Sequence, residues 1–132
     1  MKYLKQLIPV CTLLLFTFII FSGCKKEADD PVPTFTMSSD TVPLTGGGYG
    51  IKFFAKCTNN GVTMTNVTIT NPGSGYYTYN FNGAPYVKNA LFPLQAIDIA
   101  YTKQLGTWKF NMVGKSSGGA AFAVDATLAV TK

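Results

Sequence analysis

The sequence predicts an all-β domain, a two-sheet sandwich of about seven to nine antiparallel strands. Three observations carry that expectation. Short runs rich in Thr, Val, Ile, Phe and Tyr recur from Thr34 to Lys132. Clusters of Gly, Asn, Pro and Ser separate them at turn-like intervals. No window in this stretch repeats apolar residues at helical spacing over three turns. Roughly 100 residues make one domain, enough for a single core and too few for two.

Phe35 to Met37 and Thr41 to Leu44 read as a split edge strand, because Pro43 cannot donate to a central ladder. Gly46-Gly47-Gly48 is a turn. In Tyr49 to Cys57 the residues Ile51, Phe53, Ala55 and Cys57 share one face, and Lys52, Phe54 and Lys56 the other. Asn59-Asn60-Gly61 turns the chain. Val62 to Thr70 is a strand whose apolar phase changes: Val62 and Met64 lie on one parity, Val67 and Ile69 on the other. A bulge near Thr65-Asn66 repairs this, since one extra residue exchanges the two faces.

After the loop Asn71 to Gly75, Tyr76 to Phe81 is a strand with Tyr77, Tyr79 and Phe81 on one face. Asn82-Gly83 is the strongest hairpin signal in the chain, with Tyr86 to Lys88 as the returning strand. Pro93 precedes Leu94 to Thr102, where Ile97, Ile99 and Tyr101 alternate. Trp108, Phe110 and Met112 face one way, with Lys109 and Asn111 opposite. Gly114 to Gly119 turns the chain, and Phe122, Val124, Ala126, Leu128 and Val130 alternate to the end. The last strand is therefore structural rather than a loose tail.

This strand number and turn spacing argue an immunoglobulin-like sandwich, with a small β-barrel as the alternative. The stretch from Gly106-Thr107-Trp108-Lys109-Phe110 to Val130 resembles the final hairpin of bacterial immunoglobulin-like domains. The stretch from Phe35 through the glycine run to Phe53 resembles the start of the Bacteroidetes-associated carbohydrate-binding type of such domains.

The first residues have another character. Lys2 and Lys5 precede an apolar run from Leu7 to Phe21, followed by Phe21-Ser22-Gly23-Cys24 and then by Lys25-Lys26-Glu27-Ala28-Asp29-Asp30. A basic start, a short apolar stretch and a small-residue cleavage site make a secretory signal. The run is short for a bilayer span, which needs roughly 20 residues. Phe21 to Cys24 resembles the lipobox of bacterial lipoproteins, with Phe21 where Leu is commonest. The resemblance implies that the Cys24 sulfur takes a diacylglyceryl group and that cleavage leaves Cys24 first in the mature chain. Acyl chains such as palmitate then anchor it, each buried methylene contributing about 0.8 kcal/mol. An uncleaved anchor and an incidental cysteine are the alternatives; the place of Cys24 at the apolar-to-polar switch argues against both. The expected organisation is a cleaved signal over 1–23, a lipidated tether over 24–33 and the β-domain over 34–132. Asp29-Asp30 resembles the export signal of Bacteroidetes-type surface lipoproteins. The expected location is the cell envelope, at the outer membrane, facing the periplasm or the exterior.

Composition limits the chemistry. The eleven basic residues are all lysines, and the chain has no histidine. Without Lys2 and Lys5, nine lysines face six acids, a net charge of +3 before terminal effects. The lysines are scattered rather than clustered, which predicts a solvated surface and no nucleic-acid partner. Lack of histidine removes Ser-His-Asp and Cys-His sites and most zinc sites. The domain offers Asp40, Asp98 and Asp125 as its acids, with no spacing that suggests a catalytic pair or a calcium loop. Asp98 and Asp125 read as outward residues on half-buried strands, where charge discourages edge pairing. Cys11 leaves with the signal, and Cys57 has no partner in the mature chain, so it reads as a buried hydrophobe at a strand end. No enzyme activity, cofactor or metal site is expected.

Binding is the class that remains. Tyr76, Tyr77, Tyr79, Phe81 and Tyr86 concentrate aromatics around Asn80, Asn82 and Asn89, and such rings stack on sugars or anchor protein partners. Alternating aromatics also make ordinary core. Tyr76 and Phe54 stand apart because each lies opposite its strand's apolar series. The candidate patch is Phe54, Tyr76, Tyr77, Tyr79 and Tyr86. The expected role is a lipid-anchored, non-catalytic module that binds glycan or another surface protein; the alternative is a structural or adhesive subunit whose sheet edge pairs with another chain.

Overall fold

A computed structural model describes residues 29–132. The expected signal over 1–23, Cys24 and the residues up to Ala28 lie outside the described residues. Nine strands follow one another: β1 (Phe35–Pro43), β2 (Tyr49–Cys57), β3 (Val62–Thr70), β4 (Tyr76–Asn80), β5 (Pro85–Tyr86), β6 (Leu91–Pro93), β7 (Tyr101–Thr102), β8 (Gly106–Ser116) and β9 (Ala121–Val130). Every pairing is antiparallel. Sheet A orders β1-β2-β6, with β7 on the same side of β2 as β6; sheet B orders β4-β3-β8-β9, with β5 beside β4 on β3. Neither sheet closes on itself, so the fold is a sandwich and not a barrel. The chain changes sheet between β2 and β3, between β5 and β6 and between β7 and β8, as an immunoglobulin-like sandwich does.

The core lies where the sequence alternation places it. Ile51, Phe53, Ala55 and Cys57 of β2 face Val67 and Ile69 of β3 and Trp108, Phe110 and Met112 of β8, all buried. The Trp108 ring lies 4.7 Å from Phe53, and its indole N–H donates to the Gln104 carbonyl at 2.9 Å. That bond leaves no unpaired polar atom on the largest core side chain. Cys57 is buried at the end of β2. The β3 phase change is real: the β3–β8 register shifts between Met64 and Asn66, so Thr65 is the extra residue.

Five expectations are corrected, the smallest being the last turn, which starts only at Ser117 because Gly114 to Ser116 still pair with β3. β1 is one continuous edge strand from Phe35 to Pro43, not two pieces, because the polar Ser38-Ser39-Asp40 run still pairs with β2. Asn82-Gly83 does not close a hairpin. β4 and β5 run in the same direction along the same side of β3, and 81–84 is a loop within one interrupted edge. Gly83 does adopt the positive φ that the dipeptide favours (82°), and Asn82 Oδ1 accepts from the Ala84 N–H. The loop has another task. Its inward residues are Tyr77 and Tyr79 before it and Tyr86 after it, so it changes phase opposite the β3 bulge and keeps the edge in step.

Leu94 to Thr102 is not a strand either; only Tyr101–Thr102 pairs with β2. Ile97 is 81 % exposed, and Asp98 sits in this exposed loop rather than on a strand. The buried Gln95 explains the departure. Its Oε1 accepts from the Phe53 N–H at 2.9 Å, and its Nε2 donates to the Ile51 carbonyl at 3.2 Å and the Ile99 carbonyl at 3.0 Å. One amide side chain thus replaces the missing strand along the open side of β2, between β6 and β7.

The last part of the expected tether is docked rather than free. Asn59 clasps it from both sides: its Nδ2 donates to the Val32 carbonyl and its Oδ1 accepts from the Thr34 N–H, each at 2.9 Å. Pro33 is buried. The Asp30 carboxylate accepts from the Ser116 hydroxyl and from Asn60 Nδ2 (3.1 Å), with the Gly118 and Ala120 N–H groups also turned to it. A Cβ on Gly118 would collide with that carboxylate, so the glycine makes room for it. The chain therefore joins the domain at the end that holds the 58–61 and 117–120 turns.

The Ser116 hydroxyl, helped by Asn60 and the two amides and opposed by partial desolvation, holds the Asp30 carboxyl below its usual value of 3.8. A lowered folded-state value means that the contact contributes above the carboxylate range and is lost as pH falls through the lowered value. The Gly118 and Ala120 amide shifts are expected to titrate with a midpoint below 3.8, and Asp30→Asn should abolish the titration. A midpoint above that value in an NMR pH series would contradict the docking.

Candidate functional site

Sequence reasoning gathered five side chains into one patch, and the structure distributes them over three places. Tyr77, Tyr79 and Tyr86 point into the seam where the β4/β5 edge of sheet B meets the β6/β7 edge of sheet A. Tyr86 stacks on Phe92 at 4.2 Å, Tyr77 on Tyr101 at 4.2 Å, and Phe81 lies edge-on to both Tyr86 and Phe92. Tyr79, Phe81, Tyr86 and Tyr101 pack against the core. This is the ordinary use of alternating aromatics: the rings close one flank of the sandwich. Desolvation pushes the Tyr86 and Tyr101 hydroxyls above their usual 10.0, and neighbouring tyrosines add to the shift. Raised values favour the neutral form, so the seam is intact below pH of about 10 and weakens as pH rises through the shifted values.

Phe54 lies on the outer face of sheet A, half-buried, opposite Ser38 on one side and Pro93 on the other. Tyr76 lies on the outer face of sheet B and is 73 % exposed. These two faces look away from each other, so Phe54 and Tyr76 cannot share a ligand. The aspartates also divide. Asp40 sits opposite Lys52 in sheet A, Asp98 lies in the loop after β6, and Asp125 is on β9 of sheet B, where its Oδ1 accepts from Asn111 Nδ2 at 2.7 Å.

The register assembles around Tyr76 what the sequence kept apart. Tyr76 pairs with Thr70, Thr70 with Lys109, and Lys109 with Thr127. The neighbouring row runs Thr78, Thr68, Asn111, Asp125. Both rows point outward, since Ile69, Val67, Phe110 and Met112 of the same strands point into the core. At about 4.8 Å between strands, each row spans about 14 Å. Between them lies a shallow depression of about 300 Å³ lined by Thr68, Thr70, Lys109, Asn111, Asp125 and Thr127. Hydroxyl, amide, ammonium and carboxylate groups thus stand beside one exposed ring.

The face offers donors and acceptors of every kind, one aromatic platform and no deep cavity. It suits a flat, hydroxyl-rich ligand held by hydrogen bonds and one stacking contact. Sequence reasoning found Tyr76, because its parity is opposite to that of the apolar series. It missed Thr68, Thr70, Lys109, Asn111 and Thr127. Singly, each is an ordinary outward strand residue, and strands far apart in sequence carry them. No protein-family model, curated protein or solved structure matches the chain.

Proposed function

We propose that this is a lipid-anchored protein of the bacterial cell envelope whose domain binds glycan, without catalysis, on the outer face of sheet B. The observation that carries the binding role is the row Tyr76, Thr70, Lys109, Thr127, with its parallel row ending in the Asn111–Asp125 hydrogen bond. Sugar rings offer an apolar face to an aromatic platform and hydroxyls to amide and carboxylate groups, and this face carries the Tyr76 ring at one end of the row and the polar depression next to it. The resemblance of Phe21 to Cys24 to a lipobox supports the anchor, and the short stretch between Cys24 and Asp30 supports a domain held close to the bilayer.

Two experiments test the two halves separately. Binding of the purified protein to arrayed glycans should be seen above background. Tyr76→Ala should weaken it at least tenfold while leaving the melting temperature within about 2 °C, since surface substitutions usually stay within ±0.5 kcal/mol. Binding unchanged by Tyr76→Ala would remove sheet B from the reading; binding only to a protein partner would replace glycan by protein. For the anchor, mass spectrometry of the mature amino terminus should find a diacylglyceryl-modified and acylated Cys24, and Cys24→Ser should release the protein from the membrane fraction. Cleavage elsewhere, or an unmodified Cys24, would refute it.

A further inference from the structure

Each sheet has two free edges, and among the described residues three of the four carry a guard against pairing with another chain. The β4/β5 edge is broken by the 81–84 loop, with Pro85 on its second part. The β6/β7 edge is two short pieces separated by a loop, with Pro93 in the first. β1 starts just after the buried Pro33 and ends on Pro43. β9 has no such break. It is ten residues long and holds no proline, lysine, glycine or register shift, and it pairs with β8 alone. Its outward residues are small or short: Ala121, Ala123, Asp125, Thr127 and Ala129. Its inward Val124, Ala126 and Leu128 pack on the core yet stay only half-buried.

We infer that β9 is the docking edge for a second copy of this chain, paired antiparallel about a two-fold axis at Ala126. The strand is complementary to itself in that register. Leu128 meets Val124 of the other copy and Ala126 meets its own counterpart, so the half-buried residues cover one another. Asp125, the one charged residue of the strand, faces Thr127 of the other copy, which supplies a hydroxyl to its carboxylate. The register one step toward the amino end would set Asp125 against itself, a like-charge pair. One step the other way would pair only 124–130 instead of 122–130. Asp125 thus acts as a register selector: it disfavours the wrong alignment and accommodates the right one.

Pairing continues sheet B through both copies, and the partner's Thr127 comes to lie beside the Asp125 end of the polar rows. The two depressions then flank a common centre, which allows one extended ligand to engage both with the gain of a linked second contact. The axis stands normal to the sheets. Two copies anchored in one membrane, as proposed above, therefore lie with both sheets parallel to the bilayer.

The test is pairwise disulfide trapping in cells that express two tagged forms of the full chain. Ala123→Cys in one copy and Ala129→Cys in the other should give a mixed dimer under mild oxidation. Ala123→Cys combined with Ala121→Cys should not, because eight residues separate that pair from register. Sedimentation of the unaltered purified protein should show a dimer, and Thr127→Pro, which disrupts the edge, should give a monomer with the same circular dichroism spectrum. A monomeric unaltered protein at about 100 µM, or trapping at 123/121 in place of 123/129, would overturn the inference. Neither readout depends on glycan binding or on lipidation, so failure here is distinct from failure of the proposed function.

Discussion

Replacing Gln95 by Leu is expected to lower the stability of the domain by about 3–4 kcal/mol, because a buried donor or acceptor left without a partner costs about 1–3 kcal/mol. The side chain keeps bulk and loses its amide. The Phe53 N–H and the Ile51 carbonyl, both in the core strand β2, then have no partner, and water does not reach them. For a domain of this size the loss corresponds to a melting temperature lower by roughly 15–25 °C. Gln95→Glu separates hydrogen bonding from shape. The carboxylate still accepts from Phe53, but it has no proton for the Ile51 and Ile99 carbonyls. Burial and those two carbonyls raise its folded-state pKa above the unfolded value. Stability of this variant is therefore greatest below the ordinary carboxylate range and falls as pH rises through the raised value. Urea titrations at two pH values check both. A loss of under 1 kcal/mol for Gln95→Leu would show that the loop, not the amide, holds this edge.

Gly114→Ala is expected to cost about 3 kcal/mol, at the upper end for an added methyl group in a packed interior. A Cβ here would press on the Thr63 carbonyl oxygen and come within 3.0 Å of the Phe122 ring and 3.1 Å of the Met64 Cα. Gly114 sits opposite Met64, where the β3 bulge begins, so two of these obstacles are backbone fixed by the β3–β8 ladder. The neighbours cannot yield without breaking the register that sets every inward residue of β3. Gly46→Ala is the control: nothing lies within 4 Å of its Cβ, and its stability should stay within about 0.5 kcal/mol of the unaltered protein. Chemical denaturation of the two variants side by side measures the difference. Equal stabilities would mean that β3 can shift its bulge.

Both effects sit where reading the sequence ran out. Strands with clean alternation were legible to the residue: Tyr49 to Cys57 is β2 as bounded from sequence, and Val62 to Thr70 is β3 with its bulge at Thr65. Local pattern suffices there because one buried face imposes a period of two, and an odd step in the series has few remedies. Asn82-Gly83 and Ile97-Asp98-Ile99 misled for the same reason in reverse. The dipeptide needs only a positive φ, which a phase-changing loop supplies as well as a hairpin. The alternation of Ile97 and Ile99 has no face to bury once Gln95 occupies the edge of β2. Nothing in a lone glutamine between Leu94 and Ala96 announces that it replaces a strand.

By itself the sequence determined the all-β class, the main inward residues of β2, β3, β8 and β9, the burial of Cys57 and the singularity of Tyr76. All of these depend on side-chain parity within one strand, a quantity that neighbouring residues decide. Only the tertiary structure decided which strands share an edge, that Phe54 and Tyr76 lie on opposite faces, that Asp30 is tied to Ser116, and that Thr70, Lys109 and Thr127 stand in one row beside Tyr76. Those facts depend on pairings between segments tens of residues apart. Cross-strand register is fixed by the closing of the whole core, and no local window contains it.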